Sequence, residues 1–115
     1  MKNSIRLDIV HPQKARVESF LNGAAEKLEQ VAFDRQELNG MDDTIAGYKF
    51  KMKDRAAFVI VIFATSYEQA NEIEAANLTI RPNLRWTVNG ALFFGVESDD
   101  EEAARHMLSF FAGRE

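Results

Sequence analysis

The sequence predicts an α+β fold: a ferredoxin-like βαββαβ core, extended by a C-terminal β-hairpin strand and helix, with helices packed on an antiparallel sheet. The first observation behind this prediction is the run AAFVIVIFAT at residues 56–65, whose unbroken β-branched and aromatic content is typical of a strand buried on both faces. The second is that stretches with helical spacing of apolar residues alternate with strand-like stretches. A chain of 115 residues, 46% of them apolar, can bury one core, so residues 1–115 are expected to form a single domain.

The N-terminal part is predicted to form one strand and one long helix. Ile5, Leu7 and Ile9 alternate with polar residues, which favours a strand with one solvated face. From residue 13 to about residue 32, apolar side chains recur every three or four positions, which predicts a helix of about five turns with Gly23 inside it. In the ferredoxin-like arrangement, this helix and the next one pack on the same face of the sheet.

A second strand is predicted over residues 44–53, in a hairpin with the central run. Its side chains alternate, with Lys49, Lys51 and Lys53 on one face and Ala46, Tyr48, Phe50 and Met52 on the other. Because only two residues separate the strands, we expect a tight antiparallel turn that places Lys51 opposite Phe58. The lysines then share a face with Phe58, Ile60 and Ile62.

A capping signature predicts the second helix. Ser66 is expected to be the N-cap, and Gln69 stands at the capping-box position three residues later. The predicted apolar stripe consists of Tyr67, Ala70 and Ile73. We expect the helix to end near Asn77.

A second hairpin and a third helix complete the predicted order. Asn89-Gly90 predicts a type I′ turn, and that register places Trp86 opposite Phe93. Both faces of the strand after the turn are apolar, so it needs cover on two sides. Ser98 or Asp99 is expected to cap the last helix, whose broad apolar face includes Phe110 and Phe111.

Composition narrows the classes of function. The net charge of −4 opposes binding of nucleic acid by bulk attraction, and the absence of Cys removes disulfides, thiol nucleophiles and thiolate metal sites. His11 and His106 form no metal-ligand pair, and helix capping explains the acidic residues 97–102, so no metal or cofactor is predicted. The N-terminus lacks the apolar region of a signal peptide, and no apolar stretch approaches the roughly 18 residues of a spanning helix. We therefore expect a cytoplasmic protein without a membrane partner, unless an export signal was removed from the chain.

Residues 55–78 resemble the third strand and second helix of RNA-recognition motifs, a family that shares the βαββαβ order. That signature requires Lys or Arg, then Gly, then two exposed aromatic residues. In this sequence the Gly is missing and Ala56 stands where one aromatic residue belongs, which leaves Phe58 alone. Nucleic acid is therefore not expected as the main partner.

The candidate ligand- or partner-binding residues are Lys49, Lys51, Lys53, Phe58, Ile60, Arg85 and Trp86. They suit a non-catalytic binding or regulatory module that acts as a homodimer and takes a partner protein or a small apolar or anionic ligand. The dimer contact is expected at the sheet face that carries Phe58 or at the helix that carries Phe110 and Phe111, because an uncovered apolar surface usually marks an interaction site.

Two other functions stay open at this point. One is a small enzyme of the dimeric α/β-barrel kind, with an apolar pocket near Trp86, Tyr48 and His11. The other is binding of an anion or of single-stranded nucleic acid through the three lysines, joined by Arg85.

Overall fold

A five-stranded antiparallel sheet with helices on both faces organises this α+β structure. The computed structural model describes residues 5–23, 28–34, 36, 38–39, 41, 45–53, 56–77 and 83–111, and at residues 23, 103, 106 and 109–111 it describes the backbone alone. The elements in chain order are α1 (Lys14–Gly23), β1 (Leu28–Val31), β2 (Ala46–Met52), β3 (Phe58–Phe63), α2 (Tyr67–Ala76), β4 (Leu84–Asn89), β5 (Leu92–Glu97) and α3 (Glu101–Phe111). The order across the sheet is β1-β2-β3-β5-β4.

The central run forms β3, as its composition predicts. It pairs with β2 on one side and with β5 on the other, and residues Val59 to Phe63 are all buried. Val59, Val61 and Phe63 point to one core, whereas Ile60 and Ile62 point to a second core on the opposite face. The prediction of a strand buried on both faces is therefore confirmed.

The helices lie on different faces of the sheet. Val17 and Leu21 of α1 and Ala104 of α3 join the core of Val59 and Val61, and this face is called the α1 side. The opposite face, called the α2 side, packs on Ala70 and Ile73 of α2 and on Leu38 and Ile45 of the β1–β2 connection. The expectation that α1 and α2 share one face is wrong, because their apolar stripes belong to separate cores.

The predicted first strand is also wrong. Residues 5–10 have no regular secondary structure, although their burial alternates as expected, with Leu7 buried between the exposed Arg6 and Asp8. Side chains of α1 bond this segment instead: Asn22 accepts from the Ile5 N–H, and Glu18 accepts from the Leu7 N–H at 2.7 Å. The alternation of apolar and polar residues in this segment therefore indicates burial of one side and not pairing with a strand.

The ferredoxin-like topology is not confirmed. The strand that pairs with β3 on the side away from β2 is β5. Both faces of β5 are apolar and buried, and each face belongs to one of the two cores. One half of the predicted plan survives, because β3 and β4 run parallel, are joined through α2 and have β5 between them, which is a split βαβ unit.

The predicted long helix is shorter than expected. Its stripe residues Val17 and Leu21 are buried, but α1 ends at Gly23, and Leu28–Val31 forms the edge strand β1 against β2. Glycine inside a helix costs about 1 kcal/mol relative to Ala, so a helix end at Gly23 avoids that loss. Residues 24–27, which the prediction also assigned to the helix, lie outside the described residues.

The two hairpins differ in how well the sequence predicts them. In the first, Lys51 pairs with Phe58 as expected, and the Met52 N–H donates to the Ala57 carbonyl at 2.9 Å. In the second, Asn89 pairs with Leu92, so the turn residues are Gly90 and Ala91.

The expected type I′ turn is wrong for a backbone reason. Gly90 has φ +59°, and no described residue other than glycine has a positive φ, so Asn89 does not adopt the geometry that type I′ requires. Positive φ at the first of two turn residues is typical of a type II′ turn. The register moves by two residues, which leaves Trp86 opposite Gly95 instead of Phe93 but keeps every side chain on its predicted face.

Helix α2 begins and ends as predicted. Ser66 is the N-cap and accepts from the Gln69 N–H at 3.1 Å, while the Gln69 side chain accepts from the N–H of Thr65 at 2.7 Å. Asn77 is the C-cap. Tyr67 departs from the predicted stripe, because it is 60% exposed.

Helix α3 begins at Glu101, later than a cap at Ser98 or Asp99 implies. The Ser98 hydroxyl accepts from the Asp100 N–H at 3.0 Å, just before the first turn.

Candidate functional site

Lys49, Lys51 and Phe58 form a partly open area on the α2 side of the sheet, here called the lysine surface. Alternation in β2 and the register of the first hairpin place them together, because Lys51 pairs with Phe58 and Lys49 pairs with Ile60. Lys51 is exposed, whereas Lys49 and Phe58 are half-buried. The Lys49 ammonium lies 4.6 Å from the centroid of the Phe58 ring, a cation–π geometry that keeps a cation beside an aromatic face.

Carboxylates flank the lysine surface on both sides. Glu29 of β1 pairs with Lys51, and Glu97 of β5 pairs with Phe58, so one row across the sheet reads Glu29, Lys51, Phe58, Glu97. Side chains at directly opposite positions lie about 5 Å apart at Cβ, and opposite charges at that spacing attract. The surface therefore has mixed charge, which is a poor match for a polyanion.

Two of the predicted cations lie elsewhere. Lys53 follows the end of β2 in an exposed turn. Arg85 points to the α1 side, where its guanidinium lies 3.1 Å from the Glu101 carboxylate. The prediction that Arg85 joins the lysines is wrong, because odd and even residues of β4 face opposite sides of the sheet.

Ile60 and Trp86 complete the predicted set. Ile60 is fully buried in the core of α2, so the prediction that it contacts a ligand is wrong. Trp86 is half-buried on the α2 side and stacks on Phe93, with 6.2 Å between ring centroids. Lys49 and Trp86 share a row, but Ile60 and Gly95 lie between them, a separation of about 14 Å.

The sheet face that carries Phe58 is therefore covered in large part by the chain itself. Ile60 and Ile62 pack under α2 and under the β1–β2 connection, which leaves Phe58 at the margin. The other predicted dimer contact involves the side chains of Phe110 and Phe111, which lie outside the described side chains, as does that of His106.

The structure brings together two of the three residues considered for an enzyme. His11 and Tyr48 both contact the Phe63 ring on the α1 side, with centroid distances of 5.0 Å and 5.9 Å and edge-on geometry. Trp86 lies on the opposite face of the sheet. A site that combines all three side chains is therefore excluded by the sheet between them.

The polar atoms of His11 and Tyr48 are bound to the backbone. The Tyr48 hydroxyl donates to the Asp8 carbonyl at 3.0 Å, and burial, followed by the nearby Asp8 carboxylate, raises the pKa of Tyr48. The His11 Nδ1 accepts from the Gln13 N–H at 3.1 Å, which assigns the proton of the neutral ring to Nε2, 3.0 Å from the Ala64 carbonyl oxygen. Both side chains therefore fasten the N-terminal segment to the sheet.

A buried asparagine that the sequence did not single out joins α2 to the β1–β2 connection. The Asn77 side chain is fully buried, donates to the carbonyls of Asn39 at 2.9 Å and Ile73 at 2.6 Å, and accepts from the Asn39 N–H at 2.8 Å. Asn39 in turn donates to the Ala76 carbonyl at 3.1 Å. A buried polar side chain that makes three hydrogen bonds to the backbone has a structural role, and the only sequence signal for it was the helix end itself.

Other kinds of site were also considered. Among the described residues, no cluster of three or more His, Asp or Glu side chains is placed to hold a metal ion. No helix in the described part of the chain has the length and apolar character needed to cross a bilayer. Comparison with protein-family models, with curated proteins and with solved structures finds no match to this chain.

Proposed function

We propose that the protein is a non-catalytic binding module that acts as a homodimer and presents the lysine surface to a partner protein. The observation that supports this proposal is which side chains are bound within the fold and which ones reach the surface. His11 and Tyr48, the side chains most suited to acid–base chemistry, are bound to backbone atoms, whereas Lys51 and Phe58 reach the surface. Groups that hold the fold together are poorly placed to exchange protons with a substrate.

The chemistry of the lysine surface favours a protein segment over a small anion. Lys49 is held over the Phe58 ring, and Lys51 has Glu29 opposite it, so neither ammonium belongs to a purely basic cluster. A partner segment that offers one apolar side chain to Phe58 and carboxylates to the lysines would satisfy every group on this surface.

Selection of peptides from a random library displayed on phage tests this proposal. The wild-type protein should enrich peptides that combine acidic and apolar residues, and the variant Lys49→Ser/Lys51→Ser/Phe58→Ser should lose them. A matched control, Arg6→Ser/Arg16→Ser, removes two exposed cations from elsewhere on the chain and should keep the same peptides. Enrichment that survives the triple substitution would show that the partner binds at another surface, and no enrichment by the wild type would count against a peptide-binding module.

A further inference from the structure

The two edges of the sheet are protected to different degrees. β1 has four residues, of which Glu29 and Gln30 are exposed, and short polar edges resist pairing with other chains. β4 has six residues in continuous register with β5, contains no Pro or Lys, and carries a single charged residue, Arg85. An edge of this length and composition is a template for another strand.

The hydrogen-bonding direction of each β4 residue follows from one bond. The Ser98 N–H donates to the Asn83 carbonyl at 3.1 Å, in the same register as the β4–β5 ladder. Bonded and non-bonded pairs alternate along an antiparallel ladder, so the odd-numbered residues of β4 direct their N–H and C=O groups to β5. Leu84, Trp86 and Val88 direct theirs outward, and no strand in the described part of the chain pairs with that side.

The outward groups are complementary to a second copy of themselves. Two antiparallel copies related by a two-fold axis perpendicular to the sheet place Trp86 opposite Trp86 of the partner subunit and Leu84 opposite Val88 of the partner subunit. Every residue in this register presents both an outward N–H and an outward C=O, so each pair exchanges two bonds. A two-fold contact of this kind uses the same patch on both subunits and closes without further growth.

The side chains along β4 agree with this register. Trp86 and Val88 are half-buried on the α2 side, so both keep apolar surface that a second copy would contact. The Trp86 ring already stacks on Phe93, so pairing would align four aromatic rings across the junction. On the α1 side the Arg85 guanidinium lies 3.1 Å from the Glu101 carboxylate, which Arg105 also contacts. The two-fold register places Arg85 opposite Thr87 of the partner subunit, so the two copies of Arg85 are not directly opposite each other.

We infer that β4 is the dimer interface of this protein, where it pairs with β4 of a second copy to form one continuous sheet. The inference rests on the proposed homodimer and gives it a surface, in place of the Phe58 face or the Phe110-Phe111 helix. It does not depend on what the lysine surface binds.

Two proline substitutions test the assignment. Val88→Pro removes an outward N–H of β4, and Gln30→Pro removes an outward N–H of β1, the other edge. The Met52 N–H bonds to β3, so the even-numbered residues of β2 bond to β3 and the odd-numbered residues bond to β1. Gln30 lies opposite the even-numbered Phe50, so its N–H points away from β2. Sedimentation of each purified protein up to about 100 µM gives the oligomeric state. We expect a wild-type dimer, an affinity at least about tenfold weaker in Val88→Pro, and an unchanged dimer in Gln30→Pro.

Two further measurements guard against a misfolded variant. Val88→Lys keeps the backbone N–H but adds a charge to the edge, and it should also weaken the dimer, with far-ultraviolet circular dichroism equal to that of the wild type. Because Trp86 is the only tryptophan in the chain, its fluorescence should shift to longer wavelength when the wild-type dimer is diluted.

The outcomes separate this inference from the proposal on which it rests. A wild-type chain that stays monomeric at about 100 µM would overturn both the interface and the proposed homodimer. A dimer that survives Val88→Pro and Val88→Lys would overturn the β4 interface alone. A dimer lost in Gln30→Pro and kept in Val88→Pro would move the interface to β1.

Discussion

At the scale of single residues, Gly47 leaves no room for a side chain. A Cβ atom at this position would lie 2.8 Å from Cδ2 of Phe33 and 2.9 Å from Cδ1 of Ile62. Such distances are shorter than van der Waals contact, so the Phe33 ring and the Ile62 side chain would have to shift. No local signal in the sequence points to this constraint, because Phe33 reaches Gly47 only through the folded β1–β2 connection.

We predict that Gly47→Ala lowers the free energy of unfolding by about 1–3 kcal/mol through overpacking. Gly95→Ala is the matched control in β5, where the nearest atom to a new Cβ would be Leu84 Cδ1 at 3.4 Å. That variant should be as stable as the wild type or more stable, since Ala loses less backbone entropy than Gly. Urea unfolding measures both values, and equal losses in the two variants would contradict the packing argument.

The ionisation of Tyr48 should lower the stability of the fold at alkaline pH. Its pKa is raised above 10.0, first by burial and second by the Asp8 carboxylate, so ionisation is less favourable in the folded than in the unfolded chain. The stabilisation is fully present below the unfolded pKa and is lost as pH rises through the folded pKa. Unfolding free energy should therefore fall as pH increases above about 10.

Tyr48→Phe should remove this part of the alkaline loss. At neutral pH the variant should be less stable by about 1 kcal/mol or less, because the bond to the Asp8 carbonyl is missing at an exposed site. Tyr67→Phe, which removes the hydroxyl group of a 60% exposed tyrosine, is the matched control for the substitution itself. Denaturant titrations at a series of pH values check this, and an identical alkaline slope in wild type and Tyr48→Phe would refute the role of Tyr48.

At the scale of elements, Asn77 ties α2 to the β1–β2 connection. We predict that Asn77→Ala lowers the free energy of unfolding by about 2–3 kcal/mol, because it removes buried bonds and leaves the Asn39 N–H without its acceptor. Hydrogen exchange at the Asn39 amide should accelerate in the same variant. Asn71→Ala, which removes an exposed bond to the Tyr67 carbonyl, should change stability by less than about 0.5 kcal/mol. Unchanged exchange at Asn39 in Asn77→Ala would rule out this tie.

Elements were predictable where local signals decided them. β3 followed from an apolar run too long to leave uncovered, and α2 followed from the Ser66 cap. The prediction of an N-terminal strand was wrong because the alternation at Ile5, Leu7 and Ile9 fits any extended segment with one buried side. β1 was missed because Leu28 and Val31 also fit a helical spacing. Only the pairing of this segment with β2, which is a tertiary contact, shows that it is a strand and not a helix.

At the scale of the whole molecule, the candidate site was predictable in part. The turn length and the alternation of β2 brought Lys49, Lys51 and Phe58 together on one face, and both signals are local. The element that covers Ile60 was not predictable, because it depends on which face of the sheet α2 crosses. That choice is made by tertiary packing, for which a single sequence holds no short-range signal.

The strand order also has a consequence for how the chain finds its structure. The β1–β2, β2–β3 and β4–β5 ladders join strands that follow one another along the chain. The β3–β5 ladder joins strands that are separated in the chain by α2 and β4. Neighbouring hairpins can form within microseconds, but a closure over a long intervening segment costs more entropy before it gains contacts. We therefore expect the meeting of β3 with β5 to set the pace of folding, and both hydrophobic cores to become complete only when that junction forms.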